Sequence, residues 1–175
     1  RKTSLYSVTL PSGVVSIGEN AFKGCTGLRD VRLPDTLTKI GNNAFQNCSS
    51  LTTVTIPNGI TSIASQTFSG CKSLQWISLP ESVTEIGREA FSNTGLTALK
   101  LPSCLVSMGD NILSGNNGVK ELAIPKTVTE MDSIGWGALA NSSIETLIFE
   151  NGITAIPVNA AKGATKLTEV VIPES

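Results

Sequence analysis

The sequence predicts an α/β repeat solenoid, a coil of short units with a parallel β-sheet along one face and short helical or irregular turns along the other. Three observations carry that reading. A proline closing an "LP" or "IP" pair recurs at Pro11, Pro34, Pro57, Pro80, Pro102, Pro125 and Pro173, with Glu150 where one more is due. Ahead of each marker runs an L-x-x-V-x-L pattern, as in Leu28, Val31 and Leu33 or Leu167, Val170 and Ile172. Behind each marker an inward apolar residue is followed two positions later by Gly or Asn. Self-similarity at so regular a period is the signature of a repeat architecture.

The last two apolar residues of each trio alternate with polar ones, the period of a half-buried strand. A strand of four or five residues cannot bury its apolar face alone, so the units must stack. At about 4.8 Å per unit, equivalent positions then lie above one another in a parallel sheet. The recurring proline ends each strand, where a backbone donor is not needed. Three residues past the marker come Val14, Leu37, Ile60, Val83, Leu105, Val128 and Ile153, and six past it Ile17, Ile40, Ile63, Ile86, Met108, Met131 and Ile156, all expected in the core.

The Asn-Ala-Phe segment reads as a single helical turn opposite the sheet, with Phe22, Phe45, Phe68 and Phe91 stacked inward and Leu113, Leu139 and Ala161 continuing the column. Two residues later stand Gly24, Asn47, Gly70, Asn93, Gly115, Asn141 and Gly163. These are the residue types that best accept a left-handed backbone, so this station turns the chain out of its helical turn. The same geometry accounts for Asn47 and Asn141, which also head glycosylation triplets. Cys25, Cys48 and Cys71 share the next station and are expected as buried free thiols packed like small apolar residues, with Cys104 off the column. Trp136, in a coil that carries extra residues, is expected to plug the core where Phe is missing.

The composite pattern L-x-x-V-x-L-P-x-x-V-x-x-I-G-x-x-A-F-x-x-C resembles the BspA-like, or Treponema-type, class of leucine-rich repeats over essentially the whole chain. That resemblance implies a right-handed leucine-rich-repeat superhelix and a role in adhesion at the surface of a cell or outside it. Residues 1–175 are expected to form one array of about seven repeats, each of roughly 22–25 residues. The chain opens on Arg1 and stops after a strand, so it is expected to be a segment of a longer protein.

Thirteen Lys and Arg against fourteen Asp and Glu leave a net charge of −1 with no charged block, which argues against nucleic acid as a partner. No apolar run reaches the ~20 residues of a membrane span, so no membrane insertion by this segment is expected. The chain has no histidine, the commonest general base and metal ligand. No C-x-x-C pair suggests zinc and no glycine-rich loop suggests a nucleotide. The reading is therefore not an enzyme and needs no cofactor.

What remains is binding by the strand face turned away from the core. Arg32, Trp76, Lys100 and Ile148 are the candidate partner-binding residues on it. Trp76 is the sharpest, a large aromatic at an outward position near the middle of the array; its bland alternative is to lie flat over Ala98. Ala123, Ile148 and Val171 form an apolar stripe where Thr9, Arg32 and Thr55 stand upstream. The expected partner is a protein, either host matrix or another cell surface. The competing expectation is a spacer or stalk presenting another module; a sugar-binding surface at Trp76 would need a second aromatic beside it.

Overall fold

The computed structural model describes residues 4–131 and 136–174. The repeat folds as a parallel β-solenoid of about seven coils, in which each L-x-x-V-x-L segment except the one at 96–101 supplies one short strand. These are β1 (Ser7–Thr9), β3 (Asp30–Arg32), β5 (Thr53–Thr55), β7 (Trp76–Ser78), β10 (Glu121–Ile124), β11 (Thr146–Phe149) and β12 (Glu169–Val171). Their pairing is in register with the repeat: Val8 lies opposite Val31, Val54 opposite Ile77, and Leu122 opposite Leu147, which in turn faces Val170. In β3, β5 and β10 the inward residues are buried and their outward neighbours exposed, as alternation requires. The coil at residues 97–100 forms no strand, and the ladder pauses there, in the unit one position shorter than those before it; Thr97 N still reaches Gln75 O at 3.5 Å.

A second strand station, which the sequence pattern did not announce, lies at the Ile six residues past the proline. It comprises β2 (Ser16–Ile17), β4 (Lys39–Ile40), β6 (Ser62–Ile63), β8 (Glu85–Ile86) and β9 (Ser107–Met108), again parallel and in register. The Gly that follows this strand in several coils is required by close stacking. A Cβ on Gly41 would come within 2.6 Å of Glu19 N, and one on Gly109 within 2.6 Å of Arg88 N.

The expected helical turns are absent: among the described residues there is no helix. Each Asn-Ala-Phe segment is instead a run of β-turns. The predicted Gly or Asn station is left-handed in all seven coils, from Gly24 at φ 74° to Gly163 at φ 71°. So is a second station two residues before the Phe column: Asn20, Asn43, Gln66, Glu89, Asn111, Gly137 and Asn159. The reason is where the donors point. Asn20, Phe22 and Gly24 donate their N–H groups to Asn42, Ala44 and Gln46 of the next coil at 3.0, 2.8 and 2.7 Å, while Ala21, Lys23 and Cys25 close turns within their own coil. A helical turn would keep all of these bonds within one coil; the left-handed residues free every second donor for the neighbour.

Between the two strand stations, whose ladders divide into five short sheets, and the turns runs one core. Phe22, Phe45, Phe68 and Phe91 stack with ring centroids 5.2, 5.6 and 6.0 Å apart and planes within 10° of parallel. Leu113 and Leu139 continue this column in the interior, as expected, but Ala161 is exposed. So are Ile156, at 50%, and Val170, at 45%. The insertion at 131–139 falls partly on 132–135, outside the described residues. Trp136 does not plug the core; it is 61% exposed, and Leu139 fills the place in the column.

Truncating the stack should reveal its continuity. Phe68→Ala, flanked by a ring on each side, should lose about 3–5 kcal/mol, whereas half-buried Phe22 at the open end should lose clearly less on the same change. Urea unfolding of the two variants measures both, and equal losses would contradict a continuous column. Gly41→Ala should lose about 1–3 kcal/mol through overpacking alone.

Candidate functional site

The cysteine ladder is structural. Cys48 and Cys71 are buried, Cys25 is half-buried, and all are free thiols. Cys48 Sγ donates to Phe22 O at 3.1 Å and Cys71 Sγ to Phe45 O at 3.2 Å, linking each coil to its neighbour as the backbone bonds do. Burial pushes the Cys48 thiol up from 9.0 to about 12, with the neighbouring Cys25 adding to the rise and a backbone hydrogen bond opposing it. Burial raises Cys71 as well. A thiol so raised is a poor nucleophile. Cys104, by contrast, is exposed. Among the described residues no group of three or more His, Cys, Asp or Glu side chains is placed to hold a metal, and no helix is long and apolar enough to cross a membrane.

The outward face of the first strand station is set by register. One column runs Ser7, Asp30, Thr53, Trp76, Glu121, Thr146, Glu169, and the other includes Thr9 and Arg32, Thr55 and Ser78, then Ala123, Ile148 and Val171. Trp76 is 53% exposed, and with Ala98 also exposed it does not lie buried across the neighbouring coil. The four candidate residues fall in three places. Trp76 and Lys100 line one shallow hollow of about 190 Å³ together with Ser78 and Glu81. Arg32 lines another, of about 290 Å³, with Asp30, Asp35 and the two outward threonines. Its guanidinium Nε is 3.9 Å from Asp30 Oδ2, an exposed and therefore weak ion pair. Ile148 stands apart, half-buried between Ala123 and Val171.

Sequence reasoning missed Glu81. Its Oε2 accepts from Ser103 N at 2.7 Å and from Ser103 Oγ at 2.8 Å, bracing the next coil beside Lys100. Those hydrogen bonds, side chain first and backbone second, hold its carboxyl below the ordinary value despite slight desolvation, and Lys100 adds to the effect. Only its place directly after the marker Pro80 signals it in the sequence.

A parallel solenoid with a core of stacked equivalent residues and a variable outward strand face is the architecture of a leucine-rich repeat. The chain belongs to the BspA type leucine rich repeat family, whose profile matches residues 1–120 and 96–175 with six copies. Among solved structures it is similar to a leucine-rich repeat protein from Bacteroides ovatus, at 27% identity and a TM-score of 0.80 over 94% of this chain. It spans only 42% of that protein. It is also similar to the leucine rich repeat protein of T. pallidum, at 26% identity and a TM-score of 0.60 over 95% of this chain and 69% of the other. The pneumococcal vaccine antigen PcpA shares the fold at 21% identity and a TM-score of 0.61 over 95% of this chain and 50% of the antigen. No curated protein sequence matches.

The thiols should separate by location. In native protein at pH 8, Cys104 should react with a chromogenic disulfide reagent within the first minutes, while Cys48 and Cys71 react only as urea unfolds the chain. Because their folded values are raised, their contribution is intact below about pH 9. It falls as pH climbs from 9 toward 12, where the unfolded thiols ionise and the folded ones do not. Denaturation midpoints across that window should fall less steeply for Cys48→Ala.

Proposed function

We propose that this chain is a non-catalytic binding module of a cell-surface or secreted protein, and that it recognises a protein partner, host matrix or another cell surface, through the outward strand face. Trp76 carries the reading. It is a half-exposed indole in the middle of the ladder, opposite Thr53 and sharing a hollow with Lys100. The outward positions nearest it are mostly small and hydroxylated, so burying that ring and seating a carboxylate on Lys100 are the central anchors, with Arg32 and Ile148 further along the face. Aromatic anchors with a charged neighbour are the usual centres of binding energy. The neighbour from Faecalibacterium prausnitzii, which shares the fold at 23% identity and a TM-score of 0.53 over 99% of this chain and 74% of the other, is described as a cell surface protein. That setting supports the reading.

The plain polar stretch at Thr53 and Thr55 favours the second reading, a spacer presenting another module. Binding of the chain to a panel of purified matrix proteins, measured by surface plasmon resonance, distinguishes them. Trp76→Ala should weaken capture by about tenfold or more, and Lys100→Ala should raise the off-rate less and reduce the salt dependence. Equal capture of every partner by wild type and Trp76→Ala would leave the spacer as the reading.

A further inference from the structure

On the turn side of the solenoid, away from the sheet, a second tryptophan stands in a different setting. Trp136 lines a hollow of about 280 Å³ with Arg88, Glu89, Asn93, Asn111 and Asn141. Its position is built. Asp110, fully buried, aims Oδ1 at the backbone N–H groups of Trp136 and Gly137, at 3.2 and 3.1 Å. Gly137 is left-handed at φ 96°, and any side chain there would run into Lys162 O. A buried carboxylate committed to two backbone donors fixes the chain where Trp136 emerges. The backbone from which the exposed indole projects is therefore anchored to the core.

The rest of the hollow is polar and electrically balanced. Arg88 and Glu89 pair with each other at 2.9 Å, so the hollow offers no uncompensated charge to an ionic ligand. The three asparagines are all left-handed, at φ 53°, 57° and 56°, which fixes where their amides start. Asn141 Nδ2 donates to Asn111 Oδ1 at 3.4 Å, whereas the Asn93 side chain makes no hydrogen bond among the described residues. The volume is close to the lower end for small-molecule sites, about 300 Å³. Asparagine amides, each both donor and acceptor, stand here in place of the second aromatic that a sugar surface at Trp76 would need, so one exposed aromatic plane beside them and a neutralised ion pair matches a ligand with an apolar face and a rim of hydroxyls.

We propose that this hollow is a carbohydrate site taking a neutral hexose or N-acetylhexosamine unit, with the indole of Trp136 against the sugar's C–H face and the amides of Asn93 and Asn141 on its hydroxyls. The site is independent of the strand face and of Trp76. The test is binding of the chain to immobilised neutral glycans ending in glucose, galactose, mannose or N-acetylglucosamine, with sialylated glycans as the charged control. Wild type and Trp76→Ala should bind at least one neutral glycan equally, and Trp136→Ala should weaken it about tenfold or more. Asn93→Gly, which keeps the left-handed backbone and removes the amide, should weaken it too, with an unchanged melting temperature showing that the fold is intact. Binding of no neutral glycan, binding of the sialylated control alone, or equal binding by Trp136→Ala overturns the site. Loss in Trp76→Ala with Trp136→Ala unaffected would place sugar binding on the strand face and overturn it as well.

Discussion

The hydrogen bonds between successive coils are the constraint on which everything else here rests. In the turn, Phe45 N, Phe68 N and Phe91 N each give their bond to the next coil, at 3.0, 2.9 and 3.0 Å, and the left-handed residues on either side do the same. A solitary coil would leave those donors, its short strands and its Phe ring all unsatisfied at once. Stability is therefore a property of adjacent pairs.

Much of this was legible from the residues because stacking imposes the same demand at each turn of the coil. The inward Val and Leu positions, the strand-ending proline, the stacked Phe residues and the Gly or Asn station each answer one geometric need. The helical reading of Asn-Ala-Phe failed because local propensity reports on bonds a segment makes with itself, and half of these go to the neighbouring coil. The second left-handed station stayed hidden because Gln66 and Glu89 occupy it alongside asparagines, and neither type advertises positive φ. There the ladder overrides the residue. Gln66 Nε2 donates to Glu89 Oε2 at 2.7 Å, and Gln66 Oε1 accepts from Gln46 Nε2 at 3.2 Å, so a side-chain chain runs alongside the backbone one. The second strand station was invisible for a simpler reason, since so short a strand is too brief to show a period.

On the outward strand face the sequence marked a candidate only where one residue broke a pattern. Trp76 stood out because its column otherwise holds Ser, Thr and carboxylates, and its proximity to Lys100 follows from stacking. Ile148 and Arg32 share that outward face, several coils apart and in separate surroundings. The expectation for Trp136 assumed that a missing Phe leaves a gap. Leu139 closes that gap, and the buried Asp110 carboxylate holds the neighbouring backbone so that the indole faces outward.

Both tryptophan-bearing hollows adjoin coils whose length departs from the common period. Lys100 belongs to the shortest unit, where the first strand station is interrupted, and Trp136 belongs to the unit with the insertion. In a coil of standard length the backbone is dictated by its neighbours, and sequence can change only which side chain projects from a fixed point. The shortest unit gives up its strand at the first station, whereas the longest unit keeps its pairing, since Leu122 still faces Leu147 across it. The Trp76 and Trp136 hollows thus adjoin irregular units, while the Arg32 hollow belongs to units of standard length. In a fold whose interior is repetitive by necessity, the irregular coils are where individuality of recognition has room to arise.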